Sequence, residues 1–204
     1  MKILVFSPHP DDAEAQMGGT IARYTRQGHE VLISLATIPN NKEARRKESE
    51  ESSAILGARL NIMDLDPQEL VFNRRTVGAF DDVIRDFSPD VVYTCWVYGS
   101  HQDHQVVAQS TFASTRKNHC SLYMYEPAAL STGPTPFTFR PQLFIDVTDT
   151  FDIKIKSLLA HRTQVKDCQK QWIDIITARS LYLGFQIHVK YAEAFEVVKE
   201  TGSF

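Results

Sequence analysis

Long hydrophobic runs are missing from this chain: nothing approaches the ~20 consecutive apolar residues that a membrane-spanning helix needs. No basic segment leads into an apolar stretch near the start, so no secretory signal is expected. Cysteine is scarce. Cys95, Cys120 and Cys168 are widely spaced and form no CxxC pair, which argues against a disulfide framework and for reduced, packed thiols in a cytoplasmic protein. An excess of positive charge is absent too, with 22 Lys and Arg against 25 Asp and Glu, intermixed, so nucleic acid is not an expected partner. Glycine-rich phosphate cradles are also lacking: no GxGxxG follows the first apolar run and no GxxxxGK[ST] occurs. Internal repeats and low-complexity tracts are absent.

What remains is a chain of 204 residues, 43% hydrophobic, enough for one well-cored domain spanning residues 1–204 and cramped for two. Apolar strand-like runs at 2–6, 31–37, 60–65, 91–96, 121–125, 143–147 and 191–199 alternate with helical patterns. Those helices are expected at 17–27, 42–56, 77–87, 105–117, 151–165 and 172–183, with Gly28, Gly57 and Gly184 as stops. This alternation predicts an α/β fold, Rossmann-like, with a mostly parallel sheet and helices on both faces. Residues 127–141, with four prolines and Gly133, fit no regular element and predict a lid or binding loop.

Two strand ends carry the chemistry. His9-Pro10-Asp11-Asp12 follows the run Ile3-Leu4-Val5-Phe6, and His101-Gln102-Asp103-His104 follows Val91 to Trp96. Adjacent carboxylates are tolerated most easily beside a cation. In an open parallel sheet, ligands bind outside the carboxyl ends of strands. His9 and Asp12, three apart, can turn to one point, and His104 supplies a third ligand from the other strand end. Two imidazoles and a carboxylate with an open position is the catalytic zinc pattern. The same donors accept iron, cobalt or manganese. The competing reading is that the two aspartates cap the next helix; the matching second cluster weighs against it.

Pro8-His9-Pro10-Asp11-Asp12-Ala13-Glu14 with Gly18-Gly19-Thr20 resembles the signature of the PIG-L/LmbE family of metal-dependent N-deacetylases. His101-Gln102-Asp103-His104 resembles that family's HPDH, with Gln102 in the proline position. Arg45-Arg46-Lys47-Glu48, Ala54-Ile55-Leu56-Gly57, His161-Arg162-Thr163-Gln164 and Tyr191-Ala192-Glu193-Ala194-Phe195 are similar to further blocks, so the resemblance covers nearly the whole chain. Its Asp-Asp-Ala-Glu variant is most similar to the bacillithiol-pathway deacetylase branch.

The resemblance implies a zinc-dependent hydrolase that removes acetyl from an N-acetylglucosamine-type amino sugar or its conjugate. His9, Asp12 and His104 would hold the metal and Asp11 would act as general base. His101, as an imidazolium oriented by Asp103, would stabilise the oxyanion. Arg45 and Asp66 are expected at the substrate, and Tyr98 and Arg140 at the mouth. The aromatic-rich C-terminal third leaves room for a homo-oligomeric interface. A phosphoesterase is disfavoured, since two-metal sites need more ligands than these clusters hold. The alternative function is a non-catalytic Rossmann-like module that binds a sugar or nucleotide.

Overall fold

A computed structural model describes residues 1–126, 135–166 and 169–202. Its centre is a sheet of seven strands in the order β3-β2-β1-β4-β5-β7-β6. The first five, β1 (Lys2–Ser7), β2 (Glu30–Leu35), β3 (Arg59–Ile62), β4 (Val91–Cys95) and β5 (Ser121–Tyr125), run parallel. The last two, β6 (Leu143–Asp146) and β7 (Ala192–Lys199), are antiparallel additions at one edge. Ile3, Leu4, Val5 and Phe6 are all fully buried, as expected of a central parallel strand covered on both faces.

Seven α-helices complete the described chain: α1 (Asp12–Arg26), α2 (Lys42–Leu56), α3 (Arg74–Phe87), α4 (Gln102–Thr115), α5 (Phe151–Leu159), α6 (Arg162–Val165) and α7 (Gln169–Gln186). Helix α1 packs with α2 and α5, and α3 with α4, as the crossovers of a doubly wound sheet require. The expected α/β architecture is therefore present. Among the described residues, no helix is long and apolar enough to cross a membrane.

Several boundaries move, each for a physical reason. Helix α3 starts at Arg74 because the Asn73 side chain caps it, accepting from the Thr76 N–H at 2.9 Å. The expected single helix over 151–165 is two, with Ala160 and His161 between α5 and α6. Gly184 does not stop α7. It lies inside the helix where a Cβ would stand 2.7 Å from the carbonyl oxygens of Val189 and Lys190, so its bareness admits the returning chain. Of the proline-rich loop, residues 127–134 lie outside the described residues, and 135–142 form no helix or strand.

Helix α1 begins at Asp12, five residues before its expected start, and its backbone leaves the helical region at Met17 (φ −139°, ψ 20°). The amide N–H groups freed just past this bend, on Gly19 and Thr20, donate to the two oxygens of Glu193 at 3.0 and 2.7 Å. Lys154 donates to the same carboxylate at 2.6 Å, and all these groups are buried. A Cβ on Gly19 would stand 2.7 Å from Cβ of Val147, so this close approach needs glycine.

Candidate active site

Strands β1 and β4 are parallel neighbours, with Ile3 opposite Val91 and Val5 opposite Tyr93. The crossovers leaving them run to opposite sides, to β2 and to β5, so the crevice at their carboxyl ends is the switch point of the sheet. Both His/Asp clusters empty into it. Helix α4 starts at Gln102, three residues earlier than expected, which puts Asp103 and His104 on its first turn and His101 at its N-cap. The bend between β1 and α1 is pinned by Ser7, whose hydroxyl donates to the His9 carbonyl and accepts from the Ala13 N–H.

His9, Asp12 and His104 are buried, and one ligand atom from each lies within 4.8 Å of the others. Nδ1 of His9 and Nε2 of His104 each stand 3.2 Å from Oδ2 of Asp12. A tetrahedral ion with bonds of about 2.0 Å has donor–donor edges of about 3.3 Å. These residues therefore fit a divalent metal in both chemistry and spacing. The other nitrogen of His9, Nε2, lies 2.8 Å from Oδ2 of Asp103. A carboxylate behind a ligating imidazole fixes its tautomer and raises its basicity. His9 is shared with a second group of potential donors, His101 and Asp103, of which His101 is only half-buried.

The electrostatics of the crevice call for positive charge. Burial opposes a proton on His9, yet its hydrogen bonds to Asp103 and Asp12 raise its pKa to about 9. Burial likewise opposes ionisation of Asp12, and His104 and His9 outweigh it and hold the carboxyl far below its ordinary value. Asp11 goes the other way: burial, then the neighbouring Asp12, push it up to about 8 against the pull of His161 and Arg45.

Asp11 also sits at φ 89°, a left-handed conformation costly for a residue with a side chain and characteristic of functional sites. It precedes α1, but its side chain makes no capping bond, and Asp12 accepts the upstream N–H of His9 at 3.0 Å. Helix capping therefore does not account for either aspartate.

One expected relationship is corrected. The Asp103 carboxylate bonds His9 and not His101; its link to His101 is through the backbone, whose N–H points to Nδ1 at 3.2 Å. Burial, then His104 and His9, push His101 below the ordinary histidine value, which disfavours the expected imidazolium. With Nδ1 accepting, its proton resides on Nε2.

The expected substrate contacts are scattered. Arg45 is buried, not a solvated helix residue: its guanidinium donates to the Pro10 carbonyl and Asn40 and lies 3.7 Å from Asp11. Asp66 is exposed, accepts from the Gln68 N–H, and lines a cleft with Asp64, Glu69 and Arg75 that contains none of the His/Asp cluster. Tyr98 is about half exposed, and Arg140 is exposed with Nε 3.6 Å from Glu196.

Sequence reasoning did not place His161 or Glu14 in the site. His161 is fully buried, its Nε2 3.2 Å from Oε1 of Glu14, which also accepts from Ser52. This pair lies behind Asp11 and acts on its charge. The signal was present as His161-Arg162-Thr163-Gln164, without any local pattern to say what it faced.

Residues 4–114 match the PIG-L family, GlcNAc-PI de-N-acetylase. The chain belongs to the PIG-L family. It is similar to the diacetylchitobiose deacetylase of Thermococcus kodakarensis, 27% identical over 97% of this chain and 83% of the relative. It is also similar to the probable N-acetyl-α-D-glucosaminyl L-malate deacetylase 2 of Bacillus cereus, 24% identical over 80% of this chain and 84% of the relative. Among solved structures, the 4-carboxy-2-hydroxymuconate hydratase of Pseudomonas putida superposes with a TM-score of 0.84, 19% identity and coverage of 100% and 98%. That likeness shows the fold alone, and the fold hosts more than one chemistry. Family membership makes the chain an N-deacetylase, a hydrolase, and the non-catalytic alternative is not favoured.

Proposed function

We propose that this chain is a zinc-dependent hydrolase that removes the N-acetyl group from an N-acetylglucosamine-type sugar or its conjugate. The observation that carries the reading is the buried triad His9, Asp12 and His104 with the strained, unpaired-as-a-cap Asp11 beside it. The triad would hold the metal, which when bound supplies Lewis acidity toward a carbonyl oxygen and toward water.

The remaining work falls to this chain's own groups. Asp103 orients His9 from behind. A carboxylate Oδ of Asp11 takes the proton from the attacking water; its raised pKa makes it a base near neutral pH, and Arg45 at 3.7 Å favours its ionised form. Nε2–H of the neutral His101 donates to the oxygen on which negative charge grows, a role that needs a proton at that atom and no net charge. Arg45 is held too deeply to reach far from Asp11, so its part is to set the base, with any substrate contact made at the same place.

Acetate release tests the reading, with N-acetylglucosamine, N,N′-diacetylchitobiose and N-acetylglucosaminyl malate as the panel. Metal-dependent release of stoichiometric acetate and free amine from at least one of them is expected. No release from any member by zinc- or iron-loaded protein would refute amino-sugar deacetylation.

A further inference from the structure

We propose that Tyr98 and Phe137 form a stacking platform for a second, uncharged pyranose ring, making the enzyme prefer a disaccharide over a monosaccharide. The inference deepens the deacetylase reading above and rests on it for the reaction. Tyr98 and Phe137 are 48% and 56% exposed, yet their ring centroids lie 4.6 Å apart at 33°. Exposed apolar groups that adjoin one another, unlike single scattered ones, are candidates for a contact surface.

The pair is anchored, not loose. Trp96, buried beneath, meets Tyr98 edge-on at 5.5 Å and Phe139 at 6.1 Å. Its indole N–H donates to buried Glu196 at 2.9 Å, and the other oxygen of that carboxylate takes the Arg140 backbone N–H. Thr135 bonds both backbone polar groups of Phe137 through its hydroxyl. The Gly99 carbonyl, next to Tyr98, accepts from Gln105, next to His104, at 2.7 Å. The platform is thereby tied to the helix turn that carries a metal donor.

Its position fits the residue beyond the reacting sugar. Tyr98 is three residues from His101 on one connection, a span of at most about 11 Å even if fully extended. That keeps the Tyr98 backbone on the same connection as His101 and within about 11 Å of it. The face of an aromatic ring is electronegative and attracts the C–H face of a pyranose. It repels an anionic aglycone, and the nearest cation on these loops, Arg140, is turned to Glu196. A neutral sugar is therefore favoured over a carboxylate-bearing one.

The test compares kcat/KM for N-acetylglucosamine and N,N′-diacetylchitobiose in wild type, Tyr98→Ala and Phe137→Ala. Each variant should lose about tenfold on the disaccharide through KM and change little on the monosaccharide, a loss equal to ~1.4 kcal/mol. Equal losses on both substrates, or none, would overturn the platform and leave deacetylation standing. Titration with the deacetylated sugars, chitobiose and glucosamine, separates the two readings without turnover. Tighter binding of chitobiose, erased in Tyr98→Ala, would support the platform even if no substrate released acetate. Lack of that preference would overturn it whatever the activity. A smaller sedimenting species in Phe137→Ala, with the substrate ratio unchanged, would overturn it in favour of a contact between copies of this chain.

Discussion

Helix α1 has a buried ionic cluster at its start and another at its bend, and the two are wired differently. At the bend, Glu193 is saturated: two amide N–H groups and the Lys154 ammonium surround one carboxylate. At the start, Asp11, Asp12 and Glu14 crowd within four residues, with Asp103 brought in from α4. Histidine supplies the compensating protons there, and Asp11 is left with a raised pKa and a strained backbone. A balanced cluster holds a fold together. A cluster with more anions than fixed cations leaves room for an added cation, and the proposed metal ion would supply it.

The largest expected effect separates chemistry from binding at the first cluster. Asp11→Asn should lower kcat for acetate release by about 10²–10⁴ while bound metal per chain is unchanged. Retained activity would remove Asp11 from the proton transfer, and lost metal would recast it as a ligand.

At the second cluster the effect should appear in stability. Lys154→Met leaves the Glu193 charge buried with only backbone donors, and denaturant unfolding should show a loss of about 3–5 kcal/mol. Adding Glu193→Gln should recover part of it. A neutral single variant would show that the bend does not depend on the ion pair.

The smallest effect concerns the buried pair beside Asp11 in the first cluster, His161 and Glu14. Burial opposes charge on both, yet each partner outweighs it, raising His161 and lowering Glu14. The His161 contribution is full below its ordinary value of 6.5 and fades as pH rises through the raised one. The Glu14 contribution is full above its ordinary value of 4.5 and fades as pH falls. Wild type should therefore exceed His161→Gln by about 1–3 kcal/mol between these values, with the gap closing in more alkaline solution. A gap independent of pH would mean that the ring acts by packing alone.

The two clusters also differ in how far the sequence discloses them. His9, Asp12, His101 and His104 were legible because each set follows a strand-like run, and parallel sheets put binding groups at strand ends. The second cluster was not, since Gly19, Lys154 and Glu193 come from distant parts of the chain and share no local period. Gly184 misled because a glycine that admits a neighbouring backbone looks, in sequence, like one that ends a helix. The direction of Asp103 was equally hidden: His101 is its neighbour two residues away, His9 comes from another strand end, and only the packing of α4 against the β1 connection decides between them.

Bound metal in wild type beside His104→Ala tests the central claim most directly, measured after anaerobic purification and reconstitution. The account predicts about one divalent ion per chain in wild type, largely lost in the variant, because His104 completes a triad begun on another strand. Equal, near-zero metal in both proteins after reconstitution would contradict it.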